Sequence, residues 1–308
     1  MKINLSKSMI TLAIHFLILS LCSCSGDADI IETPKTDNLA NNTKTSASTT
    51  SAAVAMLNVA YGEHPEQVMD IYLQENRTLQ TPLIILVHGG GWVAGDKADA
   101  DFMKDACYYH GMNVVNINYR LANENINYLH IMSDIDAAIA MILAYAEDYN
   151  VRTSKIVMWG GSAGGHLSLL YAYNHDIRNV ISLVITLGAP TRFDSQALIL
   201  SYGFNGVGVL ATLTGKPFDA FWPLDPAYTD ASPYHGENLK PTLLIHGELD
   251  TIVRKSQAEM MGQKLTEANV DNIVFILPNG GHAGENTTPE ASDQANQLMY
   301  QAVLHYSN

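Results

Sequence analysis

Val157-Met-Trp-Gly-Gly-Ser-Ala-Gly-Gly-His166 contains Gly160-Gly161-Ser162-Ala163-Gly164. This fits the G-x-S-x-G pattern of a nucleophile elbow, a sharp turn that lifts a serine from the end of a strand to the start of a helix. A turn that tight needs residues without a bulky Cβ two positions before and two positions after the serine. Gly160 and Gly164 meet that need. Lys155-Ile156-Val157-Met158-Trp159 is an apolar, β-branched run that predicts a strand, and residues 165–173 have the small and apolar side chains of a buried helix. Strand, elbow and helix in that order make Ser162 the candidate nucleophile.

Upstream, Leu83-Ile84-Ile85-Leu86-Val87 is a continuously apolar run that leads into His88-Gly89-Gly90-Gly91-Trp92. Acyl transfer through a serine develops an oxyanion, and backbone N–H groups stabilise it well because they are fixed in place and need no reorganisation. Successive glycines allow that close approach. The expected donors are the N–H groups of Gly90 and Gly91, joined by that of Ala163, the residue after the nucleophile. The rival readings are an ordinary Gly-rich β–α loop and a phosphate cradle; the cradle needs a Lys followed by Ser or Thr, which residues 91–98, Gly-Trp-Val-Ala-Gly-Asp-Lys-Ala, do not supply.

An elbow serine is followed along the chain by an acid and then a histidine. Thr242-Leu-Leu-Ile-His-Gly-Glu-Leu-Asp250 reads as a strand ending in a turn that carries Asp250. Ile273-Val-Phe-Ile-Leu277 reads as a last strand stopped by Pro278, which cannot donate to a ladder. Beyond it, Asn279-Gly-Gly-His-Ala-Gly284 sets His282 on a glycine-flanked loop. Asp250 is then expected to hold one tautomer of His282, which takes the Ser162 proton and returns it to the leaving group. The rivals are weaker: His246 sits at a strand end and reads as a packed or supporting histidine, and His166 lies on the helix past the elbow. Glu248 competes with Asp250, and Asp225 and Asp230 compete more distantly.

Apolar runs at 83–87, 113–118, 155–159, 181–187, 242–246 and 272–277 alternate with helical patterns. Of these the clearest is 134–149, with Ile135, Ile139, Ile142 and Tyr145 or Ala146 on one face. The expectation is an α/β protein with a mostly parallel sheet and helices on both faces. A small cap or insertion is expected around 190–240, a segment rich in aromatics that include Phe193, Tyr202, Phe204, Phe218, Phe221, Trp222, Tyr228 and Tyr234. Such residues suit stacking on sugars or on an aromatic acid, and equally suit core and cap packing. The roughly 250 residues of this region match one domain with a large core.

Residues 1–23 carry Lys2 and Lys7 and then an apolar run too short for a comfortable membrane span, the pattern of a signal peptide. Leu21-Cys22-Ser23-Cys24 resembles a bacterial lipobox, with Cys24 the residue to be lipidated; simple secretion is the alternative. Residues 24–53 are rich in Ser, Thr, Asn, Asp and Ala and read as a flexible tether, leaving 54–308 as the catalytic domain. The expected location is therefore the bacterial cell envelope. Only Cys107 would remain as a thiol, so no internal disulfide is expected. The formal charge of −14 becomes −16 without Lys2 and Lys7, which argues against nucleic acid as a partner. Neither zinc-site spacing nor a dinucleotide fingerprint is present, so no metal and no cofactor is expected.

Together these blocks resemble the α/β-hydrolase superfamily, and within it the hormone-sensitive-lipase-like carboxylesterases and the related bacterial feruloyl and acetylxylan esterase-like group. The resemblance runs from about Asn58 to the C-terminus. It rests on residues 67–72 (Gln-Val-Met-Asp-Ile-Tyr), 88–92, 118–122 (Asn-Tyr-Arg-Leu-Ala), 160–166, 246–250 and 281–282. Asn123 and Arg254 depart from it, standing where a proline is usual. The resemblance implies a serine carboxylesterase forming an acyl-enzyme on Ser162, with small-molecule or carbohydrate esters as substrates, acetyl and feruloyl esters among them. A peptidase on the same fold would usually carry an N-terminal propeller or an amine clamp, and a non-catalytic ligand-binding relative usually loses a triad member.

Overall fold

The computed structural model describes residues 51–308. Cys24, the signal segment and nearly all of the expected tether lie outside the described residues. Eight strands form one sheet: β1 (Val54–Ala60), β2 (Val68–Leu73), β3 (Leu83–Val87), β4 (Asn113–Ile117), β5 (Ile156–Gly161), β6 (Ile181–Leu187), β7 (Thr242–Gly247) and β8 (Asn272–Leu277). Their spatial order is β1-β2-β4-β3-β5-β6-β7-β8. From β4 across to β8 every neighbouring pair is parallel, whereas β1 and β2 pair antiparallel with each other and β2 antiparallel with β4.

The strands β3 to β7 are mostly apolar runs because both faces are covered, whereas β8 at the sheet edge is half-exposed. Leu83, Ile85 and Val87 of β3 face a core shared with the helix Tyr128–Ala144, the helix Ala163–Leu170 and Ala258, Met261 and Leu265 of the helix Ser256–Glu267. Ile84 and Leu86 face the opposite core, filled by Met103 and Cys107 of the helix Asp101–Tyr109 and by Met299 and Val303 of the helix Pro289–Ser307. Cys107 is fully buried, and burial pushes its thiol up to about 12.

Two elements differ from the sequence reading. The helix expected over 134–149 starts six residues earlier, at Tyr128, because Asn127 caps it: its side chain accepts from Leu129 N–H in a capping box with His130. It ends at Ala144, and a separate turn, Ala146–Tyr149, follows and is closed by Asn150 in the left-handed conformation. Ile135, Ile139, Ile142 and Ala146 are buried, whereas Tyr145 points to solvent. Strands β1 and β2 carried no continuous apolar signal. β1 is a half-exposed edge with a register irregularity at Asn58, and β2 contains the buried carboxylate of Asp70.

Because β3 to β8 run in one direction, the loops leaving β3, β5, β6, β7 and β8 emerge along the same edge, where sites in such sheets form. The segment between β6 and β7 contributes the helices Gln196–Leu200, Gly203–Thr214 and Pro226–Asp230, the insertion expected around 190–240. No helix among the described residues is long and apolar enough to cross a membrane.

Candidate active site

Ser162 leaves the end of β5 with φ 51° and ψ −122°, a conformation unfavourable for a residue with a side chain. It is fixed on both sides: its N–H donates to the carbonyl of Leu187 at 2.7 Å, and its own carbonyl accepts from His166 N–H at 3.1 Å. The elbow closes so tightly that a Cβ on Gly164 would stand 2.0 Å from the carbonyl oxygen of Val87. Gly164→Val is therefore expected to destabilise the fold by about 3 kcal/mol, read as a lowered urea midpoint; a wild-type midpoint would mean that the elbow does not press on β3 as described.

His282 follows β8 on the loop that Pro278 starts, and its Nε2 lies 2.8 Å from Ser162 Oγ. Its Nδ1 donates to Asp250 Oδ2 at 2.7 Å, so Nε2 is left to accept the serine hydroxyl proton. Asp250 is almost fully buried in the turn after β7. Burial alone would raise its pKa, but hydrogen bonds from His246, His282 and the backbone of Val253, with the nearby charge of His282, hold it well below the usual carboxylate range. Oδ1 accepts from the N–H groups of Ile252 at 2.8 Å and Val253 at 2.9 Å. Three residues far apart in sequence thus form one continuous chain of hydrogen bonds.

The rivals occupy other positions. Glu248 is exposed and accepts from Asn279 N–H, tying together the turns after β7 and β8. Asp225 caps the helix Pro226–Asp230. His166 is fully buried: its Nδ1 accepts from Trp92 Nε1 at 3.0 Å and its Nε2 donates to the carbonyl of Ala231 at 2.7 Å. Burial lowers its pKa to about 4.

The loop after β3 brings Gly89 against the elbow; a Cβ there would lie 3.5 Å from Ser162 Cβ. Gly90 has φ +103°, reachable only without a side chain, and its carbonyl accepts from Ala94 N–H. Among the described residues no group accepts from the N–H of Gly90, Gly91 or Ala163, so all three remain available as donors. The loop is braced by His88, stacked on Tyr119 with ring centroids 4.2 Å apart and donating from Nδ1 to the Gly89 carbonyl at 2.8 Å. Downstream, Asn118 Oδ1 accepts from Lys97 N–H, Asn116 Nδ2 donates to the Lys97 carbonyl, and Lys97 Nζ meets Asn58 Oδ1 at 2.9 Å and Asp70 Oδ2 at 3.4 Å. This explains why the blocks 67–72 and 118–122 accompany the glycine loop in sequence: their polar residues anchor it.

Contributions from the insertion were not assigned from sequence. Val209 stands 3.6 Å from where a Gly91 Cβ would be, so the helix Gly203–Thr214 covers the glycine loop. Phe193 is fully buried against Trp92, His166 and Tyr202, and the Tyr202 hydroxyl is buried without a partner among the described residues. Burial, with the charge of Asp250, pushes the Tyr202 pKa well up. Phe221 and Trp222, by contrast, are 95% and 70% exposed. The aromatic run therefore divides between core and surface.

A cleft of about 540 Å³ lies away from this edge, beside the residues that enter β5. Arg152 on its wall donates to the carbonyls of Gln80, Thr81, Lys155 and Ser307 and works as a structural clamp. Among the described residues no His, Cys, Asp or Glu group is arranged to hold a metal ion.

Comparison with known proteins agrees with this architecture. Residues 69–217 match the BD-FAE family model, and residues 220–307 match that of the dienelactone hydrolase family. Esterase LipC of Mycobacterium tuberculosis is 27% identical over 259 residues, covering 76% of this chain and 62% of LipC. Kynurenine formamidase of Salmo salar is 30% identical over 118 residues, 38% of each chain. This chain thus spans about three fifths of LipC and less of the formamidase. A truncated carbohydrate esterase from gut microbiota superposes with a TM-score of 0.69 at 20% identity, over 84% of this chain and 98% of that one. With a mostly parallel eight-stranded sheet, helices on both faces and a serine elbow after β5, this chain has the α/β-hydrolase fold.

Proposed function

We propose that this protein is a serine carboxylic ester hydrolase that works through an acyl-enzyme on Ser162. The observation that carries this reading is the unbroken hydrogen-bonded order Asp250, His282, Ser162, with the serine held at a strained turn. Ser162 Oγ attacks the ester carbonyl as His282 Nε2 takes its proton. The carbonyl oxygen then becomes an oxyanion facing the N–H groups of Gly90, Gly91 and Ala163. Collapse expels the alcohol, which receives the proton from His282, and water hydrolyses the acyl-enzyme by the same two steps. Resemblance to named esterases agrees with this chemistry.

For the substrate we propose small-molecule or carbohydrate acyl esters, acetyl and feruloyl esters among them. Phe221 and Trp222 support a sugar, since exposed aromatic faces stack on pyranose rings. The test is a panel of aryl acetates, acetylated xylan, methyl ferulate and aminoacyl amides. Turnover of esters with release of acetate or ferulate from the carbohydrate or methyl ester is expected; turnover of the amides alone would make the protein a peptidase.

The location we propose is the bacterial envelope, through lipid on Cys24. Membrane partition and incorporation of labelled palmitate are expected for the full chain and not for Cys24→Ala, while a chain beginning near Ser51 stays soluble and active. Unchanged labelling of Cys24→Ala would transfer the modification to Cys22.

A further inference from the structure

The histidine at the end of β7 takes part in the hydrogen-bonded chain. His246 is fully buried, and its Nε2 lies 3.2 Å from Asp250 Oδ2, the same oxygen that receives His282 Nδ1, and 2.7 Å from the carbonyl oxygen of Val253. Both neighbours are acceptors, so Nε2 is the protonated nitrogen and its N–H is shared between them. Nδ1 is then a bare lone pair, buried with no partner among the described residues. An unmet acceptor in a packed interior is unfavourable. An aliphatic side chain would fill the same space without it, so packing alone does not account for an imidazole here.

The contacts close a small ring. Val253 donates its N–H to Asp250 Oδ1 and accepts His246 Nε2–H at its carbonyl, so the strand end, the turn and the carboxylate fix one another. We infer that His246 is a positioning residue: it holds the Asp250 carboxylate in the plane that faces His282 and takes up part of the charge on Oδ2. This rests on the triad reading of Ser162, His282 and Asp250.

A direction follows. Withdrawing the His246 donor leaves more negative charge on Oδ2, which stabilises the protonated form of His282 and raises the pH at which it titrates. The other titratable groups around it are Glu285, which caps Ala283 N–H, Glu248, which holds Asn279 N–H, and Tyr202, which lies in the field of Asp250. None of these contacts involves His246.

The experiment is an NMR titration of the His282 ring in the full chain and in His246→Leu, His246→Asn and His246→Gln, alongside the pH profile of kcat/KM on an aryl acetate. Loss of the donor in the Leu variant is expected to move the His282 midpoint and the acid limb upward together by about one pH unit, the shift equivalent to one hydrogen bond to a charged group. Asn, too short to reach Oδ2, follows Leu and stands in for it if Leu does not fold, whereas Gln, whose amide reaches, stays near wild type. A midpoint unchanged in Leu and Asn, or moved equally in Gln, would overturn the assignment and leave His246 a packing residue. The ring titration needs no turnover, so absence of esterase activity would sink the triad reading without deciding this one.

Discussion

Ser162→Ala is expected to remove hydrolysis of p-nitrophenyl acetate by roughly 10⁶-fold while leaving the thermal midpoint essentially unchanged. Among the described residues the hydroxyl bonds only to His282, whereas the elbow is held by the backbone bonds of Ser162 to Leu187 and His166 and by the contact of Gly164 with β3. Removing one oxygen thus removes the nucleophile and spares the turn. Wild-type turnover by the variant would move the chemistry to another residue.

Asp250→Asn is expected to lower kcat by about 10³ to 10⁴-fold, because an amide in place of Oδ2 can offer an N–H to His282 Nδ1 and so favour the wrong tautomer. Glu248→Gln, which changes an exposed side chain bonded to Asn279 N–H, should alter kcat by less than about threefold. Equal losses would transfer the role to Glu248. Asp250 also ties stability to pH. Its folded pKa is depressed, so its contribution is fully present above the unfolded carboxylate value of about 4 and is lost as the pH falls through the lower folded value. The stability gap between wild type and Asp250→Asn should therefore narrow as the pH falls below about 4; a gap that widens there would contradict the depressed pKa.

Much of the parallel sheet was legible because β3 to β7 are largely buried on both faces and so are written as mostly apolar runs, while the half-exposed edge strand β8 still reads as one through Ile273 to Leu277, with His88, Ser162 and Pro278 as punctuation. β1 and β2 were not legible for the opposite reason. An edge strand needs only one apolar face, and Asp70 interrupts β2 to meet Lys97 and the backbone of Asn58. The start of the helix at Tyr128 was hidden because Asn127 signals a cap only once His130 is seen to complete the box. Local motifs named Ser162, Asp250 and His282, and the structure brings their side chains together. Lateral contacts were less legible: His246 read as a packed or supporting histidine without a named partner, and it reaches Asp250 because the turn to Val253 folds back, while Tyr202 and Val209 come to the site because the insertion between β6 and β7 packs over the glycine loop.

The central claim is that Ser162 is the atom acylated. The direct measurement is to treat the native protein with a fluorophosphonate, digest it and map the adduct by mass spectrometry. One adduct per chain, on the peptide bearing Ser162 and greatly slowed by Asp250→Asn, is the predicted result. An adduct on a different serine, or complete inertness of a folded, ester-hydrolysing protein toward the reagent, would contradict it.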